Sequence, residues 1–174
     1  GKGKEKEHPG FDAVVGNPPY DVLASEELGF DVSRDLVFYE NTTIFEPAIR
    51  GKKNLYKLFI CRGIFLMKKS GMFSYIVPMA LLGDDQSAGV RRYILEKAGP
   101  IRIESFPQKD DPSNRVFLEA KLSTAIFVTQ ATPTGTQFTL RTHSGRLIED
   151  KSPILKLTPQ EILSFDPENS SIPS

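Results

Sequence analysis

The sequence predicts an α/β fold with a mostly parallel sheet and flanking helices. Three observations carry that expectation. Short apolar runs of strand length occur at residues 11–15, 72–77, 101–106 and 122–129. Helical patterns at 54–67 and 89–98 separate the first three of them. Glycine or proline closes most of these segments: Gly16, Gly71, Pro78 and the pair Gly99-Pro100. Strands alternating with helices of this length are the signature of a βαβ arrangement.

Each element follows from its residues. The run FDAVV at 11–15 reads as a short buried strand ended by Gly16. Residues 21–51 mix acidic and aromatic side chains without a clean period, which predicts a loop-rich insertion with at most one helix. From Asn54 the pattern clears, because Leu55, Leu58, Phe59, Phe65 and Leu66 fall on one helical stripe while Ile60, Ile64 and Met67 lie off it. That helix is apolar over most of its circumference and is expected to be largely buried, with Lys68-Lys69-Ser70-Gly71 at its C-terminal end. Residues 72–77 form the next strand, stopped at Pro78. The helix at 89–98 presents Val90, Tyr93, Ile94 and Leu95. Strands follow at 101–106 and 122–129 around the polar loop QKDDPSN, and residues 136–142 add one more. Beyond them a segment rich in proline and serine carries one helical signal at 159–165.

Composition narrows the function. The chain has 174 residues, 39% hydrophobic, which suits one domain with its own core. No apolar run reaches the roughly 20 residues that span a membrane, and GKGKEKEHPG has charge without the apolar centre of a signal peptide, so a cytoplasmic setting and no membrane partner are expected. The single cysteine, Cys61, lies in the apolar helix and is expected to be a core residue rather than part of a disulfide or zinc site. The two histidines, His8 and His143, lie in polar segments, and no metal site is expected. Lysine plus arginine and aspartate plus glutamate balance at 22 each, so net charge alone announces no nucleic acid.

The chemistry concentrates in Asn17-Pro18-Pro19-Tyr20, at the carboxyl end of the first strand, where open α/β sheets bind ligands. A residue that precedes proline is held extended, and proline has no amide hydrogen, so this rim is stiff and its carbonyls are free to accept. The Asn17 side-chain oxygen and the Pro18 carbonyl are two convergent acceptors, suited to a substrate that presents an NH₂ group. Tyr20 offers a planar face to an aromatic ring. Acceptors gripping the hydrogens of a delocalised amine favour a tetrahedral nitrogen whose lone pair points at an electrophilic methyl group.

The NPPY run resembles motif IV of the amino-methyltransferases, S-adenosylmethionine-dependent enzymes that methylate exocyclic or amide nitrogens. NLYKLF at 54–59, KKSGMFSYIVP at 68–78, RRYILEKAGPIRIESFP at 91–107 and RVFLEAKLSTAIFVTQ at 115–130 resemble, in the same order, segments of the gamma-type N6-adenine DNA methyltransferases, including the modification part of type IIG restriction enzymes. The resemblance implies a Rossmann-like S-adenosylmethionine-dependent methyltransferase fold and double-stranded DNA as partner. It further implies Asn17 and the Pro18 carbonyl, with Pro19 and Tyr20, as the catalytic group on adenine, with Tyr20 stacked on a base flipped out of the duplex. Phe117 matches a second aromatic that contacts the flipped base. Phe59, with Asn17, matches the cofactor side, where an aromatic packs on the adenine of S-adenosylmethionine. Lys52, Lys53 and Arg115 are candidates for phosphate contacts. The glycine-rich cofactor motif of these enzymes is absent upstream of Asn17, which implies the C-terminal half of a catalytic domain: a charged tail at 1–10, the half-domain at 11–142, and at 143–174 a linker or the start of a target-recognition region. Such a half is expected to be inactive alone, to bind the cofactor weakly or not at all, and to self-associate through an exposed sheet edge. A protein glutamine N5-methyltransferase, or a non-catalytic DNA-binding or assembly module of the same fold, remain the alternatives.

Overall fold

A computed structural model describes residues 10–131 and 137–173. His8, most of the charged tail and the expected strand start at Thr136 lie outside the described residues. The chain order is β1 (Phe11–Gly16), α1 (Ser25–Leu28), α2 (Ser33–Glu40), a 3₁₀ turn (Thr43–Phe45), α3 (Glu46–Ile49), α4 (Leu55–Leu66), β2 (Met67–Pro78), α5 (Ala80–Gly83), α6 (Ala88–Lys97), β3 (Gly99–Phe106), β4 (Thr124–Gln130), β5 (Phe138–Thr142), β6 (Ile154–Leu157) and α7 (Pro159–Phe165). The six strands form one mixed sheet in the order β1-β2-β4-β3-β5-β6. β1, β2, β3 and β5 run in one direction, while β4 and β6 run against them.

The reversal of β4 matters for the site. Its first residue, Thr124, pairs with Pro78 at the end of β2 and with Phe106 at the end of β3. The connection from β3 to β4, residues 107–123, therefore lies at the carboxyl edge of the sheet, the edge at which β1 ends in Gly16 and runs into Asn17. An antiparallel return needs no crossover helix, so residues 107–123 join the two strands with no α-helix between them.

The core is formed on α4, α6 and the middle of the sheet. Leu58, Ile60, Cys61, Phe73, Val77, Ile94, Ile103, Phe127 and Phe138 are buried. Cys61 is the core residue expected of it, and burial pushes its thiol up to about 12. Helix α4 approaches β2 so closely that a Cβ on Gly63 would stand 2.6 Å from the Phe73 ring, so only glycine fits there.

Four expectations need correction. Helix α4 is buried over much of its circumference, Tyr56, Leu58, Ile60, Cys61 and Ile64 included, but not all round: Phe59 and Phe65 are 44% and 56% exposed. A helix apolar nearly all round gives its period little power to choose a face. The insertion is richer in helix than expected, with α1, α2 and α3; their four to eight residues are too short to show a period, and they are held by the burial of Val32, Phe45 and Ala48. Strand β2 begins at Met67 rather than 72, because Met67 pairs with Phe11 and the basic stretch after it bulges before Met72 resumes the ladder opposite Ala13. Strand β6 falls in the segment rich in proline and serine, for which only a helix was expected; its four residues pair with β5. Helix α7 starts as the sequence suggests, with Thr158 and Glu161 forming a capping box. No helix among the described residues is long and apolar enough to cross a membrane.

Candidate functional site

Asn17-Pro18-Pro19-Tyr20 leaves β1 and is anchored at once. Pro18 is buried, while Asn17 and Pro19 are exposed. Just beyond, Leu55 N donates to Asp21 O at 2.8 Å, Leu23 N donates to Lys53 O at 2.9 Å, and Val22 bridges to Asn54. These bonds close the neck of the insertion, and the first one satisfies a free N–H at the start of α4 where the Asn54 side chain provides no cap.

The Tyr20 hydroxyl lies 2.9 Å from Asn17 Oδ1 and 3.0 Å from the backbone oxygen of Ile76 on β2. The single phenolic proton is shared between the two acceptors, so Tyr20 links the Asn17 carboxamide to the neighbouring strand by donating to one or the other. Burial pushes the Tyr20 phenol up to about 12, so that proton stays in place at neutral pH. The ring stands edge-on to Tyr56 and to Phe117, with centroids 6.3 and 6.2 Å away. Asn17, Pro18, Pro19 and Tyr20 line one open cavity of about 830 Å³ with residues 116–120, including Phe117. Two residues separated by almost a hundred positions, Tyr20 and Phe117, thus share one cavity.

Phe59 lies elsewhere. It lines a smaller cavity of about 350 Å³ with Phe38, Tyr39 and Phe45 from the insertion and with Arg62. These flat aromatic walls suit a purine ring. Among the described residues no carboxylate lines that cavity to accept from sugar hydroxyls, so its lining fits the base of an adenosine cofactor rather than its ribose. Among the phosphate candidates, Lys53 pairs with Glu40 at 3.1 Å and the Arg115 guanidinium donates to Lys109 O.

Several buried polar groups escaped the sequence reading, His143, Lys57 and Arg91 among them. His143, expected in a polar segment, is fully buried: Nε2 lies 2.5 Å from Glu104 Oε2, Nδ1 accepts from Glu149 N at 3.1 Å, and Phe106 stacks on the ring. Lys57 on α4 donates to Gln86 O, and burial pulls its ammonium below the usual lysine range. Arg91 is buried and donates to the backbone oxygens of Leu81, Asp84 and Asn169. No pattern in the sequence separates these three from solvated charges, because their partners are backbone groups or residues distant along the chain.

A family model described as Eco57I restriction-modification methylase matches residues 2–111. A type II restriction enzyme and methyltransferase of Escherichia coli, RM.Eco57I, is 30% identical over 96 residues, which are 55% of this chain and 9% of that protein. The structure is similar to a type I restriction-modification methyltransferase subunit from Streptococcus thermophilus, with a TM-score of 0.66 at 16% identity, covering 99% of this chain and 39% of the other. It is similar to the type IIG restriction endonuclease BpuSI, again with a TM-score of 0.66 at 16% identity, covering 91% of this chain and 20% of the other. The chain therefore spans a minor part of the length of each.

Proposed function

Because the chain belongs to the Eco57I restriction-modification methylase family, we propose that it is the C-terminal half of the catalytic domain of a DNA methyltransferase that modifies adenine at N6. The observation that carries this reading is the shared cavity, lined by Asn17, Pro18, Pro19 and Tyr20 from the end of β1 and by Phe117, whose ring meets that of Tyr20. Bound S-adenosylmethionine supplies an electrophilic methyl group. The chain's own residues do the rest. Asn17 and the Pro18 carbonyl accept the two amine hydrogens and turn the nitrogen lone pair out of conjugation. Tyr20 keeps Asn17 in place, and its ring, with Phe117, receives a base extruded from duplex DNA. Phe59 and the aromatic residues of the insertion hold the cofactor's purine.

The whole-protein reading is tested by incubating the full-length enzyme with methyl-labelled S-adenosylmethionine and mixed-sequence duplex DNA. Label in N6-methyladenine after nuclease digestion is the expected result. Label on cytosine overturns the adenine assignment, and label on protein alone overturns the DNA reading in favour of a glutamine methyltransferase.

The isolated chain is expected to be inactive. β1 is an edge strand with Phe11 and Val15 58% and 77% exposed, a geometry that favours pairing with another chain. Light scattering should show self-association of the isolated chain, and calorimetric titration should show no S-adenosylmethionine binding into the high micromolar range. A strictly monomeric chain with tight cofactor binding would overturn both expectations.

A further inference from the structure

Methyl transfer to an amine leaves one proton to be placed, and neither acceptor at the site can take it. As nitrogen bonds the methyl carbon, its lone pair becomes the N–C bond, the carbon–sulfur pair stays with sulfur, and the positive charge passes to nitrogen. A neutral secondary amine forms only when an N–H bond then breaks, leaving its electron pair on nitrogen. Asn17 Oδ1 and the Pro18 carbonyl accept hydrogen bonds but are not bases at neutral pH. The Tyr20 phenol already holds its own proton.

Among the residues that line the Asn17 cavity, one other carries an ionisable group: Glu119. It sits two residues beyond Phe117, is exposed, and lines the same cavity as Asn17 and Tyr20. Resting on the proposed amine methylation, we infer that Glu119 is the group that offsets the charge developing on the target nitrogen and accepts its proton, passing it to solvent at the open mouth. The charges around it are accounted for. On its own loop, Lys121 is paired with Asp110 at 2.8 Å, and Arg115 donates to the backbone oxygens of Lys109 and Leu118. From β1's end, the facing residues 17–19 are neutral and Tyr20 is a phenol. The neutral amide at position 17 is what makes a nearby anion useful, since a cation forms where the site otherwise presents only dipoles.

The test uses the full-length enzyme as wild type, Glu119→Gln and Glu119→Asp, with equal thermal melting required of all three. Single-turnover methylation should slow by about 10²-fold in Glu119→Gln, the lower end expected for a lost proton acceptor, with DNA affinity unchanged. Glu119→Asp should restore part of the rate. A second readout needs no cofactor: the wild type should bind a duplex carrying cationic 1-methyladenine at the target more tightly than one carrying adenine, and Glu119→Gln should lose that preference. An unchanged rate and preference in Glu119→Gln would send the proton directly to water and overturn the inference alone. A wild type that methylates no exocyclic amine would overturn the proposed function together with it.

Discussion

Tyr20 reaches across 2.9 Å to the Oδ1 of Asn17, so the aromatic that lines the cavity also fixes the acceptor beside it. The two roles separate by mutation. In the full-length enzyme, Asn17→Ala should lower turnover by about 10²-fold or more, the cost of deleting a preorganised hydrogen-bonding group at a reaction centre. Tyr20→Phe keeps the ring and releases the carboxamide, costing about 1 kcal/mol, or roughly 5-fold, with KM for DNA unchanged. Tyr20→Ala should also raise KM for DNA, since a base–aromatic stack contributes about 1–3 kcal/mol. Equal turnover in Tyr20→Phe and wild type would show that Asn17 is oriented by other contacts.

The same hydroxyl predicts a pH response. With the folded phenol pushed up to about 12 against an ordinary value of 10.0, the folded chain keeps a proton that the unfolded chain gives up. Stability contributed by the protonated phenol is therefore complete below pH 10.0 and falls as pH rises from there toward about 12. Ultraviolet difference titration should show several late phenols, since burial also raises those of Tyr56, Tyr75 and Tyr93, and one fewer of them in Tyr20→Phe. An unchanged number of late phenols in Tyr20→Phe would contradict a buried, tethered hydroxyl.

How much of this was readable beforehand depends on where each signal resides. The end of β1 and the span of α7 were legible because Gly16 and the helical signal at 159–165 are local, as was the burial of Cys61 within an apolar helix. The meeting of Tyr20 with Phe117 was legible only through family resemblance, since it depends on β4 running antiparallel to its neighbours. The exposed flank of α4 was not legible at all. Phe59 and Phe65 look as core-like in sequence as Ile60 and Ile64, and only packing against β2 decides which face is covered. Glu104 with His143 was hidden for a similar reason: the partners stand on β3 and just past β5, and their contact is invisible until the sheet aligns them.

Gly63 tests the packing of α4 on β2. Adding a methyl group there brings Cβ to 2.6 Å from the Phe73 ring and 3.2 Å from the Tyr75 hydroxyl, in a fully packed interior. Gly63→Ala should destabilise the fold by about 1–3 kcal/mol despite the better helix propensity of alanine. Combining it with Phe73→Leu should recover part of the loss, giving a non-additive double-mutant cycle in denaturant unfolding. Additive effects would mean that the helix shifts rather than the ring.

Arg91 carries the last prediction. Its guanidinium is buried against the backbone oxygens of Leu81 and Asp84 on one side and of Asn169 on the other, while Ile172 N donates to Leu82 O at 2.8 Å. The segment following α7 is thereby fastened to the turn between α5 and α6. Replacing Arg91 with Leu removes the donors and leaves buried carbonyls unpaired, a loss of about 3 kcal/mol from two or more such groups. Hydrogen exchange should show the Ile172 amide losing protection before the β2–β4 ladder does. Asp166 reinforces the same segment from within, since the backbone N–H groups of Asn169 and Ser171 donate to its carboxylate and hold it below the usual aspartate range. A depressed carboxylate stabilises above its ordinary value of 3.8 and ceases to do so as pH falls through the lower folded value. Acidification should therefore loosen the 166–172 segment in the wild type. Asp166→Asn should loosen it already at neutral pH and remove the acid dependence. Uniform protection of Ile172 in all three proteins would show that the apolar contacts of Ile162 and Ile172 alone hold the segment in place.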